Sequence, residues 1–365
     1  MAINIGKTIS KTPELLLSGT FSYKPEGIPL TSKLSFKKKI NLLKCGINSL
    51  LGFRKISHFP PVLQIEPANI CNLKCPLCPT GEGLMKREKG FMTMETFNRI
   101  IDEIGDYLIT VVLYGWGEPF LNKHMAQMIE TCTEKNILTY TSTNGHAIQT
   151  YEEALLIVKS GLTAMTVVID GSTQEIYENY RKGGELEKVK LCIRLIEEAK
   201  GKLKVKNPFT NLRLLVTKHN IEDISNVEKI ARELNVDMFS CKTLGLLSYS
   251  NKFSDYEPRG TSMERYEYEG QERCKKNFFT CSYPFRQPTI FWDGTLMGCE
   301  QDYNMEFPWG KIGEESFKSL WNKEIAINLR NSILTGGKER PEFCKLCPYQ
   351  NCVRDRYIKQ INIKK

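Results

Sequence analysis

The chain has 365 residues, 41% of them apolar and 25% charged, which fits a folded globular protein with room for one large domain and a smaller one, and excludes a disordered or fibrous chain. The net charge of +9 is uneven: residues 1–65 carry ten Lys and Arg against two acids, while the other 300 residues carry 41 against 40. A nearly neutral body argues against a nucleic-acid groove, so no nucleic-acid partner is expected.

Residues 1–60 read as a basic N-terminal extension. Leu34, Phe36, Ile40, Leu43, Ile47, Leu50 and Leu51 recur at roughly helical spacing among lysines, and no acid falls between Gly27 and Ile65. Two readings stay open: a helix packed on the main domain with its lysines in water, or a basic amphipathic helix over residues 30–55 in contact with an anionic membrane surface. No stretch approaches the length of a membrane span and the first residues hold no secretory pattern. The expected location is cytoplasmic, peripheral at the inner membrane surface under the second reading.

From Val62 the pattern changes. Strands are predicted at Val62–Glu66, Ile109–Tyr114, Ile137–Ser142, Ala164–Asp170, Asn211–Thr217 and Asp237–Thr243. Helices fall between them at Thr93–Ile104, His124–Lys135, Glu152–Lys159, Leu186–Ala199 and Ile221–Leu234. This alternation over residues 61–245 predicts a parallel α/β domain, either doubly wound or a barrel. Residues 246–273 read as a linker, and residues 274–365 as a smaller cysteine-bearing domain.

Thirteen cysteines in a chain without a secretory pattern read as metal ligands rather than disulfides. Cys71, Cys75 and Cys78 form a C-x3-C-x2-C loop after the first strand, at the end where α/β barrels build their sites. Three thiolates leave a four-iron cluster one ligand short, so that one iron is open to another molecule. Structural zinc would want a fourth local ligand, and none lies nearby.

This loop resembles the signature of the radical SAM superfamily, and further matches follow in order. Tyr114-Gly-Trp-Gly117-Glu118-Pro119 resembles the family's motif that holds the amino group of S-adenosylmethionine, with Trp116 as a mild departure. The resemblance also implies cofactor contacts at Ser142 and Asn144 after the third strand, at Asp170 toward the ribose, at Arg181 toward the carboxylate and at Asn220 after the fifth strand. Leu77 stands where the family more often has an aromatic residue. Implied with the family are a partial (β/α)6 TIM-like barrel, a [4Fe-4S] cluster on Cys71, Cys75 and Cys78, and reductive cleavage of S-adenosylmethionine to a 5′-deoxyadenosyl radical that abstracts a substrate hydrogen. An external donor such as flavodoxin or ferredoxin would supply the electron.

A second set, Cys281, Cys299, Cys344 and Cys347, lies beyond the barrel. Gly294-x4-Cys299 and the Gly310 to Asn322 stretch resemble the SPASM extension of the same superfamily. A full SPASM domain holds two auxiliary clusters and needs more cysteines than the six here, which include Cys274 and Cys352. One auxiliary [4Fe-4S] cluster on the set of four is therefore expected, similar to the shortened twitch version of an aminocyclitol dehydrogenase; a zinc site is the alternative. The resemblance places an acidic residue after the second cysteine of this set, making Glu300 and Asp302 candidate catalytic bases, with Asp302 as a turn cap the plainer reading. The implied reaction oxidises or epimerises a sugar, aminocyclitol or lipid-linked small substrate. The alternatives are a peptide- or protein-modifying maturase and, in another class, a non-catalytic iron–sulfur or zinc-binding protein.

Overall fold

The structure, a computed structural model, describes residues 20–23, 25–245, 252–270, 272–274, 281–336, 340–345, 347–348 and 357–364. Six parallel strands form its centre: β3 (Val62–Ile65), β4 (Thr110–Leu113), β5 (Leu138–Thr143), β6 (Ala164–Val168), β7 (Phe209–Val216) and β8 (Met238–Thr243). They stand in the sheet in sequence order, with no reversal. A doubly wound sheet would switch direction at its middle; sequential order means that the sheet winds one way, as in a barrel. Its edges do not meet, so the barrel is partial.

Helices fill the crossovers: α2 (Met94–Ile104), α3 (Met125–Glu134), α4 (Tyr151–Lys159), α5 (Gln174–Tyr180), α6 (Leu186–Leu203) and α7 (Ile224–Glu233). Before them comes α1 (Phe36–Leu51). Period-2 alternation sorts the strands' side chains. Leu63, Ile65, Val111, Leu113, Met165, Val167, Leu212, Leu214 and Phe239 join the core shared with the helices. The alternate positions form a polar interior, in which Asn211 donates to Thr166 (3.1 Å) and Ser240 to Asn211 (2.9 Å).

The predicted boundary at residue 60 does not describe the packing. A hairpin of β1 (Thr20–Tyr23) and β2 (Leu30–Lys33) lies under the barrel, with Ile28 and Leu30 packed on Val62, Val112 and Met238. Its turn carries Glu26 inside, where Arg213 and Tyr140 donate to the carboxylate. Both side chains of the Arg213–Glu26 pair are buried. The adjoining Gly27 is at φ 85, a conformation that side chains rarely adopt, and lies against the Gln360 amide.

The segment predicted as a linker also packs. Phe253 and Tyr266 are buried, Tyr266 donates to the carbonyl of Pro348 (2.8 Å), and a short hairpin of β9 (Tyr268–Glu269) and β10 (Glu272–Arg273) follows. Beyond it, α8 (Tyr283–Arg286) leads into strands that extend the barrel sheet. β11 (Thr289–Ile290) pairs parallel with β3, followed outward by antiparallel β12 (Thr295–Met297) and β13 (Gly310–Lys311). At the other edge β14 (Tyr357–Asn362) pairs antiparallel with β8. The cysteine-bearing region is thus continuous with the ten-stranded sheet.

Candidate functional site

At the C-terminal ends of the strands lies a cavity of about 310 Å³ lined by Cys71, Cys75, Cys78, Gly117, Glu118, Ser142, Asn144 and Arg181. The loop after β3 brings the three cysteines. Asn69 anchors it, its side chain donating to the carbonyl of Glu88 (2.7 Å) and accepting from Gly90 N (2.8 Å). Gly117 lets the loop after β4 pass beneath: a Cβ there would stand 2.4 Å from the carbonyl oxygen of Ala68.

Burial pushes the Cys71 thiol up to about 12 and raises that of Cys75, whereas Arg181, with Nη1 3.6 Å from the Cys75 sulfur, favours the thiolate. Buried thiols that resist ionisation on their own are thiolates only when a metal supplies the compensating charge. Among the described residues no three His, Cys, Asp or Glu side chains converge closely enough to hold one ion. Three thiols gathered in one cavity suit a cluster in which each takes its own iron.

Glu118 is 2% exposed. Its carboxylate accepts from Thr143 Oγ1 (2.7 Å), Asn144 N (2.8 Å) and Phe120 N (3.2 Å), yet burial raises it from 4.5 to about 7. Folding therefore takes up a proton at Glu118 between pH 4.5 and 7. This contribution to stability is full below 4.5 and lost as pH rises through 7. In the metal-free protein the loss is expected to reach roughly 2–3 kcal/mol by pH 8. Glu118→Gln should flatten that difference in urea titrations at pH 5 and 8; identical slopes for the two proteins would contradict it.

The other positions divide. Asn144 donates to Asn72 Oδ1 (2.7 Å) and lies 3.7 Å from the Cys71 sulfur, so it steadies the cysteine loop from the end of β5. Arg181 pairs with Asp170 (2.5 Å), whose other oxygen accepts from Leu215 N (2.7 Å). Asp170 and Asn220 lie behind the lining rather than in it. Asn220 donates to the carbonyls of Asp170 (3.0 Å) and Leu215 (2.9 Å), tying the ends of β6 and β7 together. Leu77 packs in a buried cluster with Leu73, Tyr180 and Phe253.

The second cysteine set is gathered as well. Cys299 lies within electrostatic reach of Cys281 and Cys347, and so does Cys344; burial first, and then these neighbours, raise the Cys299 and Cys344 thiols. Cys347 N turns back on the carbonyl of Cys344 (3.4 Å). The backbone N–H of Cys274 donates to the carbonyl of Glu267 (2.9 Å). Cys352 lies outside the described residues. No disulfide links the described cysteines.

The two candidate bases separate. Glu300 lines the cavity and accepts from the Gln64 amide, while its carbonyl receives Trp116 Nε1 (2.7 Å). Asp302 is turned away, its carboxylate capping Glu306 N (2.9 Å) and Phe307 N (2.8 Å). Sequence reasoning missed a pair that joins the two cysteine regions. Arg87 holds buried Glu66 through two bonds of 2.6 Å, donates to the carbonyl of Tyr303 (2.7 Å) and stacks 4.0 Å over Phe291. It also missed Arg213, Lys242 and Arg265 in the lining. For the strand residues Arg213 and Lys242, the signal was a cation at an inward position of a period-2 strand.

Sequentially wound parallel strands with a three-cysteine loop after the first, and a second gathered set of four cysteines beyond the sixth, suit an iron–sulfur protein. Residues 65–231 match the radical SAM superfamily, and residues 281–348 the SPASM iron–sulfur cluster-binding domain. The chain belongs to the radical SAM superfamily and carries a SPASM domain; its cofactors are S-adenosylmethionine, the [4Fe-4S] cluster that binds it, and auxiliary iron–sulfur. It is 23% identical over 329 residues to an AdoMet-dependent heme synthase of Methanosarcina barkeri, covering 81% of this chain and 90% of that one. It is 26% identical over 174 residues to the mycofactocin maturase MftC of Mycobacterium ulcerans, covering 47% of this chain and 44% of the maturase. The structure of Streptococcus suis SuiB bound to S-adenosylmethionine superposes with a TM-score of 0.59 at 16% identity, over 90% of this chain and 78% of that one, a likeness of fold.

Proposed function

We propose that this enzyme is a radical SAM oxidoreductase acting on a small substrate of the sugar or aminocyclitol type that carries a phosphate or carboxylate. The observation that carries this reading is the lining of the cavity, to which β8 brings Lys242 and the segment beyond it Arg265, with Glu118 and Glu300 as the lining carboxylates; Arg213 from β7 also lines it but is paired with Glu26. Cations in a confined, low-dielectric cleft favour a phosphate or carboxylate.

When bound, the cluster and S-adenosylmethionine supply a 5′-deoxyadenosyl radical, and the auxiliary cluster supplies a one-electron redox centre. Cys71, Cys75 and Cys78 would hold the first cluster, and Cys281, Cys299, Cys344 and Cys347 a single auxiliary one. Glu118 would receive the cofactor's amino group and Arg181 its carboxylate, and Ser142, Asn144 and Gly117 would help to hold it. Asp170 acts through Arg181, and Asn220 through the strand ends that it joins. Of the two acids, Glu300 is the base that removes the substrate proton during oxidation, held in place by Gln64. Asp302 shapes the turn that presents it.

The test uses reconstituted enzyme with reduced flavodoxin or ferredoxin and a panel of phosphorylated sugars, nucleotide sugars, unphosphorylated aminocyclitols and peptides. Anionic small molecules should raise 5′-deoxyadenosine formation and transfer deuterium from a labelled C–H into it. Lys242→Met should raise KM roughly tenfold with kcat little changed. Deuterium transfer from peptides alone would replace this reading with that of a peptide maturase.

A further inference from the structure

Helix α1 is amphipathic in the wrong sense for a helix packed on a protein. Ser35 caps its start by accepting from Lys38 N (3.3 Å), and Gly52, at φ 67, ends it. The face turned inward is polar: Lys38, Asn41, Cys45 and Asn48 are the buried positions. Lys38 Nζ donates to the carbonyls of Lys135 (3.3 Å) and Asn136 (2.6 Å). Asn41 exchanges hydrogen bonds with the backbone of Phe59 (2.9 and 2.8 Å). These contacts lie just before β3 and β5, so the helix sits at the N-terminal end of the barrel, opposite the cavity.

The face turned outward is apolar. Phe36, Leu43, Ile47, Leu50 and Leu51 fall within about a third of the helix circumference, and Phe53 follows the cap. All six are exposed, Phe36 by 78% and Leu51 by 64%. Cations border the stripe: Lys39 on one flank, Lys44 on the other beside Lys37, which is paired with Asp106 (2.6 Å), and Arg54 and Lys55 at its end. No acid occurs in the sequence from Ile28 to Ile65. At the same end of the barrel, before β7, the exposed residues Lys204, Val205 and Lys206 repeat the combination of cation and apolar side chain.

We infer that α1 docks the enzyme on an anionic lipid surface, its apolar stripe entering the headgroup boundary and its bordering cations meeting lipid phosphates. Both halves of the surface match this occupant. Apolar residues left in water gain by entering the boundary, and long basic side chains beside them reach up to the headgroups. A second copy of the chain would bring the same cations face to face, which charge disfavours. The cavity then faces away from the bilayer, open to substrate from solution. This inference stands apart from the proposed reaction.

Vesicle flotation of the full chain tests it. Binding to an equimolar mixture of phosphatidylglycerol and phosphatidylcholine should be roughly tenfold tighter than to phosphatidylcholine alone, and should weaken with salt. The variant Leu43→Ser/Ile47→Ser/Leu50→Ser should bind roughly tenfold more weakly while keeping the wild-type circular dichroism and S-adenosylmethionine cleavage, because its buried face is untouched. Lys39→Gln/Lys44→Gln should lose the preference for the anionic mixture. Absence of vesicle binding, or equal binding by the triple variant, would overturn the inference. So would a wild-type dimer that the triple variant converts to monomer, which would give the stripe to a second copy.

Discussion

Arg87→Leu is expected to destabilise the protein by about 3–5 kcal/mol, the cost of stranding a buried charge. Glu66 is fully buried, and burial raises its carboxyl even with Arg87 beside it. The two bonds of 2.6 Å offset that cost, with Trp116 N (3.2 Å) as a further donor. Arg87 also reaches Tyr303, four residues beyond Cys299, while Glu66 lies five residues before Cys71. One guanidinium therefore holds the loops of both cysteine sets in register. Urea unfolding under anaerobic conditions measures the loss, and Glu66→Gln/Arg87→Met should recover much of it, since neither charge is then left alone. A single variant within about 0.5 kcal/mol of wild type would show that the pair is dispensable.

Replacing Cys71, Cys75 and Cys78 together by Ala should lower S-adenosylmethionine cleavage by roughly a thousandfold or more, because the cofactor then has no iron to bind. Iron should fall by about half, from roughly eight per chain to roughly four, the remainder belonging to the second cysteine set. Partial loss is the informative outcome. Retained cleavage would place the cofactor elsewhere, and loss of all iron would mean that the two sets form one cooperative unit rather than two centres.

Between Val62 and Thr243 the predicted strands and helices were legible in the sequence to within a few residues, because each carries a clear hydrophobic period, and α2 and α4 a capping threonine as well. Helix α5 was missed although Thr173 caps it by accepting from Ile176 N; seven residues hold too few apolar positions to show a period. Strands β11 to β13 are two or three residues long and form outward from β11, which pairs with β3 more than 200 residues away. The Glu26–Arg213 pair spans 187 residues, which no local pattern reports. At the site, cysteine spacing disclosed both thiol sets because ligand chemistry restricts spacing. Glu66 and Arg87 read as ordinary charged residues until burial makes each depend on the other. The basic extension was legible as a helix; which face it turns to solvent was not, since hydrophobic periodicity alone assigns the apolar side to the core.

The most direct measurement is substrate-free formation of 5′-deoxyadenosine by the anaerobically reconstituted, dithionite-reduced chain. Slow but stoichiometric conversion of S-adenosylmethionine, tracking iron content, is predicted. No product from protein carrying about eight irons per chain would contradict the assignment of the three-cysteine loop as a cofactor-cleaving centre.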